Sequence, residues 1–119
     1  MNKVQKFEDL QIWNEGMDLA LEIYNCLKQC KDYGLRDQLQ RAAVSIPSNI
    51  AEGFERQSNK EFIQYLFIAK GSCGELCTQI HIASRLKIFS DKVSEKLLEK
   101  TRKISAMTYN LIKTRREKF

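Results

Sequence analysis

Two pairs of cysteines stand four residues apart, Cys26 with Cys30 and Cys73 with Cys77. On helices each pair would share one face, and four converging thiolates would suit a tetrahedral zinc ion. The pairs are poorly matched in height, however. Cys26 and Cys30 fall near the end of one expected helix, Cys73 and Cys77 at the middle of another, and about 1.5 Å of rise per residue separates them by several ångström. Core or subunit-interface thiols are therefore expected, with no metal and no other cofactor. His81 is the only histidine and has no nucleophile or carboxylate at a catalytic spacing, while the Glu-x-x-His pairs of di-iron bundles are absent. Glycine forms no phosphate-cradling motif. No catalytic residue emerges, and a protein without enzymatic activity is expected.

The cations offer a second kind of chemistry. Of a net charge of +5, residues 92–119 contribute +6, from nine Lys/Arg against three Glu, so the remainder is close to neutral. Lys100, Arg102, Lys103, Lys113, Arg115, Arg116 and Lys118 are candidate phosphate contacts, because long cationic side chains act without a preformed pocket. RNA, DNA or an acidic protein face are the partners that such a tail fits. A solvated helix surface fits it equally well. Reading of bases would need aromatic platforms, and Tyr109 alone is too little for that.

A third group is the segment "SIPSNIAEGFER", residues 45–56, whose proline, glycine and polar residues interrupt an otherwise helical pattern. Pro47 removes one helical hydrogen bond, to the carbonyl of Ala43, yet Ile46 and Ile50 carry the apolar stripe across it, so a helix running through the proline is expected. Ser45, Asn49 and Glu52 would then bond backbone groups loosened by Pro47, or a neighbouring subunit. A ligand or nucleic-acid contact is the alternative use of the same polar groups.

The elements that must carry these residues follow from apolar periodicity. The first helix is placed at about 8–31 on Leu10, Trp13, Met17, Ala20, Tyr24 and Leu27, with a second stripe of Ile12, Leu19, Ile23 and Cys26 beside the first. The second, at about 35–55, buries Leu35, Leu39, Ala42, Ala43, Ile46 and Ile50. The third, at about 59–87, opens on the capping box "SNKE" and carries Phe62, Leu66, Ala69, Cys73, Leu76, Ile80 and Ala83 in strict four-three alternation. The fourth, at about 91–116, follows an N-cap at Ser90 or Asp91 and uses Val93, Leu97, Ile104, Met107 and Leu111.

With 119 residues, one proline and short connections, the expected architecture is an all-α, up-down-up-down four-helix bundle forming a single domain over 1–119. A hairpin turning near residue 57 pairs the second and third helices at residue numbers summing to about 113 or 114. That register brings Asn49 towards Gln64 and Arg41 towards the region of Ser72 and Glu75, so an Arg41–Glu75 ion pair is expected, within the chain or through a neighbouring subunit. No apolar run approaches the roughly 20 residues that span a bilayer, and "MNKVQKFEDL" lacks the apolar core of a signal peptide. A soluble, cytoplasmic protein with reduced thiols and no membrane partner is expected.

The strings "GLRDQLQRAAVSIPSNIAEGFER" and "EFIQYLFIAKGSCGEL", with the opening "FEDLQIWNEGMDLALEIY", resemble the 23S rRNA intervening-sequence proteins, relatives of the accessory variability determinant proteins of diversity-generating retroelements. The resemblance covers nearly the whole chain and departs from the family at Cys73, where an aliphatic residue is common. It implies a homopentameric ring of four-helix bundles, no enzymatic activity, and association with RNA, DNA or a nucleic-acid-processing protein.

Two function classes follow: an oligomeric protein whose ring gathers basic surfaces for nucleic acid, or a protein-binding scaffold without nucleic-acid contact. For either, the two stripes of the first helix exceed what a lone bundle buries, so Ile12, Leu19 and Ile23 are expected to meet a neighbouring subunit.

Overall fold

The structure, a computed structural model, describes residues 3–119; residues 1 and 2 of the expected domain lie outside it. A short 3-10 turn, Phe7–Asp9, precedes four helices: α1 Gln11–Cys26, α2 Tyr33–Phe54, α3 Asn59–Arg85 and α4 Asp91–Lys118. Each helix packs against its neighbour in sequence, and α4 closes the bundle against α1. The expected all-α four-helix architecture is the observed one.

Local chemistry sets the helix ends. Ser58 Oγ accepts from the amide of Glu61 at 3.1 Å and Ser90 Oγ from that of Val93 at 3.2 Å, each satisfying an amide of the first turn that has no helical partner. Asp32 does the same for Leu35 at 3.1 Å, which starts α2 at Tyr33, two residues before the expected position. At the other end of α3, Lys87 adopts a left-handed φ of 63°, and the amides of Lys87 and Ile88 return to the carbonyls of Ser84 and Ala83. This closing motif usually holds glycine; here lysine occupies the position.

Helix α1 is shorter at both ends than the expected 8–31. Asp9 Oδ2 accepts from the amides of Gln5 and Lys6, folding the chain into the 3-10 turn and leaving Leu10 extended. After Leu27 the backbone must leave the helix to reach Asp32, the cap of α2.

The core stripe of α3 lies where periodicity put it, with Phe62, Leu66, Ala69, Cys73, Leu76, Ile80 and Ala83 all buried. In α1 the inward face lies between the two stripes: Leu10, Ala20 and Leu27 of the first stripe are buried as expected, and most of the second joins them. Ile12, Leu19 and Ile23 are core residues, Leu19 at 1% exposure and Ile23 at 0%, so no neighbouring subunit is needed to cover them. Trp13, Met17 and Tyr24 of the other stripe are only partly covered. Tyr24 stays 45% exposed. An apolar sector this wide offers more surface than the core can accept, and the packing of α2 and α4 selects which part turns inward.

Helix α4 is rolled away from its expected stripe: Leu97 and Ile104 are buried, Val93, Met107 and Leu111 only flank the core, and Leu98, Thr101, Thr108 and Ile112 take the inner face against α1 and α3. Thr101 and Thr108 are fully buried, and each hydroxyl donates to the carbonyl four residues earlier, at 2.7 Å in both cases. These self-contained bonds let polar residues sit in an apolar core without a partner on another helix.

Candidate functional site

The polar segment 45–56 is absorbed into α2, and Pro47 lies buried inside the helix with helical residues on both sides. Its ring faces Gly16 of α1, where an added Cβ would meet Pro47 at 3.5 Å. The polar groups form a chain linking two helices. Asn49 Nδ2 donates to Ser45 Oγ and to the Ser45 carbonyl, both at 2.8 Å. Ser45 Oγ lies 2.9 Å from Ser72 Oγ, and the Ser72 hydroxyl donates to the Ile68 carbonyl at 3.1 Å. Because Ser72 spends its one proton on Ile68, Ser45 is the donor between the two hydroxyls. Asn49 thus serves the carbonyl of Ser45 and not the Ala43 carbonyl orphaned by Pro47.

The α2/α3 register differs from the expected sum of about 113 or 114. Ser45 meets Ser72, a sum of 117, and Gly53 meets Tyr65, a sum of 118. Side chains lean towards the N-terminus of their own helix, so antiparallel partners touch at a sum about two higher than backbone heights alone suggest, which accounts for about half of the difference; the rest is a slide of α3 along α2. Arg41 and Glu75 are both exposed, and no ion pair joins them within the described residues. Glu52 takes no part in a buried network; it pairs with Arg56 on the surface at 3.6 Å.

Between α1 and α2 an apolar groove of about 420 Å³ stays open, lined by Trp13, Met17, Ala20, Leu21 and Tyr24 on one side and Val44, Pro47, Ser48 and Ala51 on the other. Leu21 is 64% exposed at its edge, and Arg41 lies close by, next to Tyr24 and Val44. Periodicity missed this groove by assigning Trp13, Met17 and Tyr24 to the core. The available signal was Leu21, an apolar residue outside both stripes and next to Ala20.

The candidate phosphate contacts divide into two groups. Lys100 is bound to Glu22, and Lys103 lies 3.4 Å from Glu15, so α1 carboxylates already engage both. Arg115 is structural: its Nε donates to Asn59 Oδ1 at 2.7 Å, Asn59 donates back to the Arg115 carbonyl, and the guanidinium lies over the rings of Phe62 and Phe119. Partial burial pushes the Arg115 pKa down. Arg116 lies over the ring of Phe67. Arg102, Lys113, Arg116 and Lys118 are exposed and make no ion pair with the described carboxylates.

All four cysteines are free, and no group of three or more His, Cys, Asp or Glu side chains among the described residues could hold a metal ion. Burial pushes the Cys73 thiol up to about 12, with the neighbouring Cys77 adding to the effect and Lys70 opposing it. Burial likewise raises the thiol pKa values of Cys26 and Cys77. His81 sits exposed on α3 beside Thr78, Ile82 and Arg85. No helix among the described residues is long and apolar enough to cross a membrane.

A family model described as 23S rRNA-intervening sequence protein matches residues 8–110. Among solved structures, one similar chain is a protein of unknown function from the S23 ribosomal protein family of Bacteroides thetaiotaomicron. It superposes with a TM-score of 0.82 at 23% sequence identity, over 87% of this chain and 99% of that one. At that identity the likeness establishes the fold. No curated protein matches the sequence.

Proposed function

The chain belongs to the 23S rRNA-intervening sequence protein family, and from that premise and its surface we propose that it is a non-catalytic bundle that works by assembling with copies of itself. The open α1/α2 groove carries this reading. An apolar trough edged by Leu21 and Tyr24 is surface that a monomer usually hides. The outer face of α3 supplies a matching ridge. Ile68 and Ile82 are exposed there, and open space at Gly71 allows close approach. Seating that ridge in the groove of the next copy also gives Arg41 a partner in Glu75, an exposed pair that the single chain leaves apart. Groove and ridge are different surfaces, so the contact is head-to-tail, an arrangement that forms a ring when the rotation between copies closes, as the family resemblance implies. Five copies is the number implied by the family resemblance. Four free thiols support a cytoplasmic location for the assembly.

Light scattering tests the reading. The wild type should run as a multiple of its 13.9 kDa monomer. Leu21→Glu and Ile68→Glu should each yield a folded monomer, and mixing the two variants should restore a contact, since each keeps the surface that the other lacks. A wild-type monomer at micromolar concentration would overturn it.

A nucleic-acid contact is the second reading, favoured by one observation: Arg102, Lys113, Arg116 and Lys118 remain exposed on α4 without carboxylate partners. A ring would repeat this set on every subunit and add weak contacts into useful affinity. RNA binding that falls steeply with salt, and is lost in Lys113→Gln/Arg116→Gln/Lys118→Gln, supports it; salt-independent binding or none removes it.

A further inference from the structure

Helix α1 has a third face, distinct from its core face and its groove face. At about 100° per residue, Glu15, Asp18 and Glu22 fall on one side of the helix, away from Trp13, Met17 and Tyr24. This side meets a lysine row on α4 spaced at one residue per turn. Glu15 lies 3.4 Å from Lys103, Glu22 lies 3.5 Å from Lys96 and also binds Lys100, and Asp18 acts on Lys100 through its charge. Two antiparallel ion pairs share one register, 15 with 103 and 22 with 96, each summing to 118; Lys100 lies between them and reaches Glu22, with Asp18 acting on it through charge alone. The lysines are far from buried, with Lys96 66% and Lys103 58% exposed. Solvent reaches them, but so does a fixed row of carboxylates.

We propose that the α1 carboxylates are a built-in screen that keeps the Lys96, Lys100 and Lys103 row from binding the phosphate backbone of RNA. The helix that carries the screen cannot roll away from α4, because the adjacent face of α1 is anchored by Ile12, Leu19 and Ile23 in the core. An incoming phosphate must therefore displace carboxylates that are held in place and that repel it. Exposed ion pairs of this kind add little to stability, typically below about 1 kcal/mol. Their consequence here is to direct anion binding away from the middle of α4 and towards its C-terminal turns. The inference rests on the nucleic-acid reading only for its biological use; the screening itself is tested directly.

The experiment measures binding of a fluorescein-labelled oligouridylate by full-length protein across a salt series. Three proteins are compared: wild type, Glu15→Gln/Asp18→Asn/Glu22→Gln, and a control of equal charge change, Glu8→Gln/Glu55→Gln/Glu75→Gln, whose sites lie off α4 and pair with no cation within the described residues. Unscreening should tighten binding about tenfold beyond the control and steepen the salt dependence by two to three phosphate contacts, at about 0.7 in slope each. Adding Lys96→Gln/Lys100→Gln/Lys103→Gln to the unscreened variant should abolish the gain. Equal affinities for the unscreened and control variants overturn the screen, whatever the wild type does. Loss of wild-type binding on removing Lys113, Arg116 and Lys118 reports separately on the nucleic-acid reading. Circular dichroism and light scattering on each variant confirm that fold and assembly are matched.

Discussion

Helix α2 has two seams, and they are built differently. Towards α3 it packs so closely that a Cβ on Gly53 would stand 2.5 Å from Tyr65 Cβ, and the hydroxyls of Ser45 and Ser72 bond directly across the gap. Towards α1 a Cβ on Gly16 would meet Ile46 at 3.4 Å and Pro47 at 3.5 Å, an ordinary contact, and beyond it the helices part around a groove of about 420 Å³. The small residues of α2 serve both seams. What differs is the answer from the other side: α3 offers a serine hydroxyl and a close backbone, while α1 offers Trp13, Met17 and Tyr24, bulky groups that settle only partly. At Gly53 even Tyr65 and Phe62 come close, whereas along Trp13, Met17 and Tyr24 the two helices stay apart.

The sharpest way to test this division uses two neighbouring leucines of α1. Leu19→Glu should cost roughly 3–5 kcal/mol and leave little folded protein, since it puts an unpaired charge into the core. Leu21→Glu, at the groove, should change the thermal stability of the isolated subunit by no more than about 0.5 kcal/mol. Comparable unfolding midpoints for the two in urea would mean that the faces of α1 are misassigned.

The two glycines come next. Gly53→Ala must push α2 from α3 or displace Tyr65, and should destabilise by about 1–3 kcal/mol. Gly16→Ala has room for its methyl and gains helix propensity, so its effect should lie within about 1 kcal/mol of zero. Chemical denaturation of the pair checks the contrast; equal losses would erase the difference between the seams.

Ser72→Ala should cost less, about 1 kcal/mol, because Ser45 loses the acceptor for its proton while still accepting from Asn49. A double-mutant cycle with Ser45→Ala should show coupling, and strict additivity would mean that the hydroxyl bridge contributes nothing.

The smallest effect belongs to the α1/α4 seam. Burial raises the Glu22 pKa, but the hydrogen bond and charge of Lys100, aided by Lys96, outweigh burial and hold the carboxyl below its ordinary value of 4.5. A carboxyl depressed in the folded state contributes stability above its unfolded pKa and loses that contribution as pH falls through the folded value. The melting temperatures of wild type and Glu22→Gln should therefore differ most at neutral pH and converge in acid, below about 4.5. A gap that is constant with pH would leave the ion pair without effect.

Much of the fold is legible in the chain because its causes are local. Four-three alternation places the buried face of α3, the hydroxyls of Ser58 and Ser90 mark two helix starts three residues from the amides they cap, and an unbroken stripe carries α2 through Pro47. The candidate surfaces are less legible. Lys100 and Lys103 look like open cations until α1 arrives from 78 and 88 residues away. The matched spacing of Glu15, Asp18 and Glu22 with Lys96, Lys100 and Lys103 was present in the sequence, but it acquires meaning only in the register of 118.

What the sequence by itself determined is the number of helices, their type and the inward faces of α2 and α3, because hydrogen bonds and side-chain period act within a few residues. Tertiary structure alone decided how α1 and α4 are rolled about their axes, how far α3 slid along α2, and which cations kept their charge exposed. An apolar sector wider than the core can accept has more than one inward solution, and the choice falls to the shapes that pack against it.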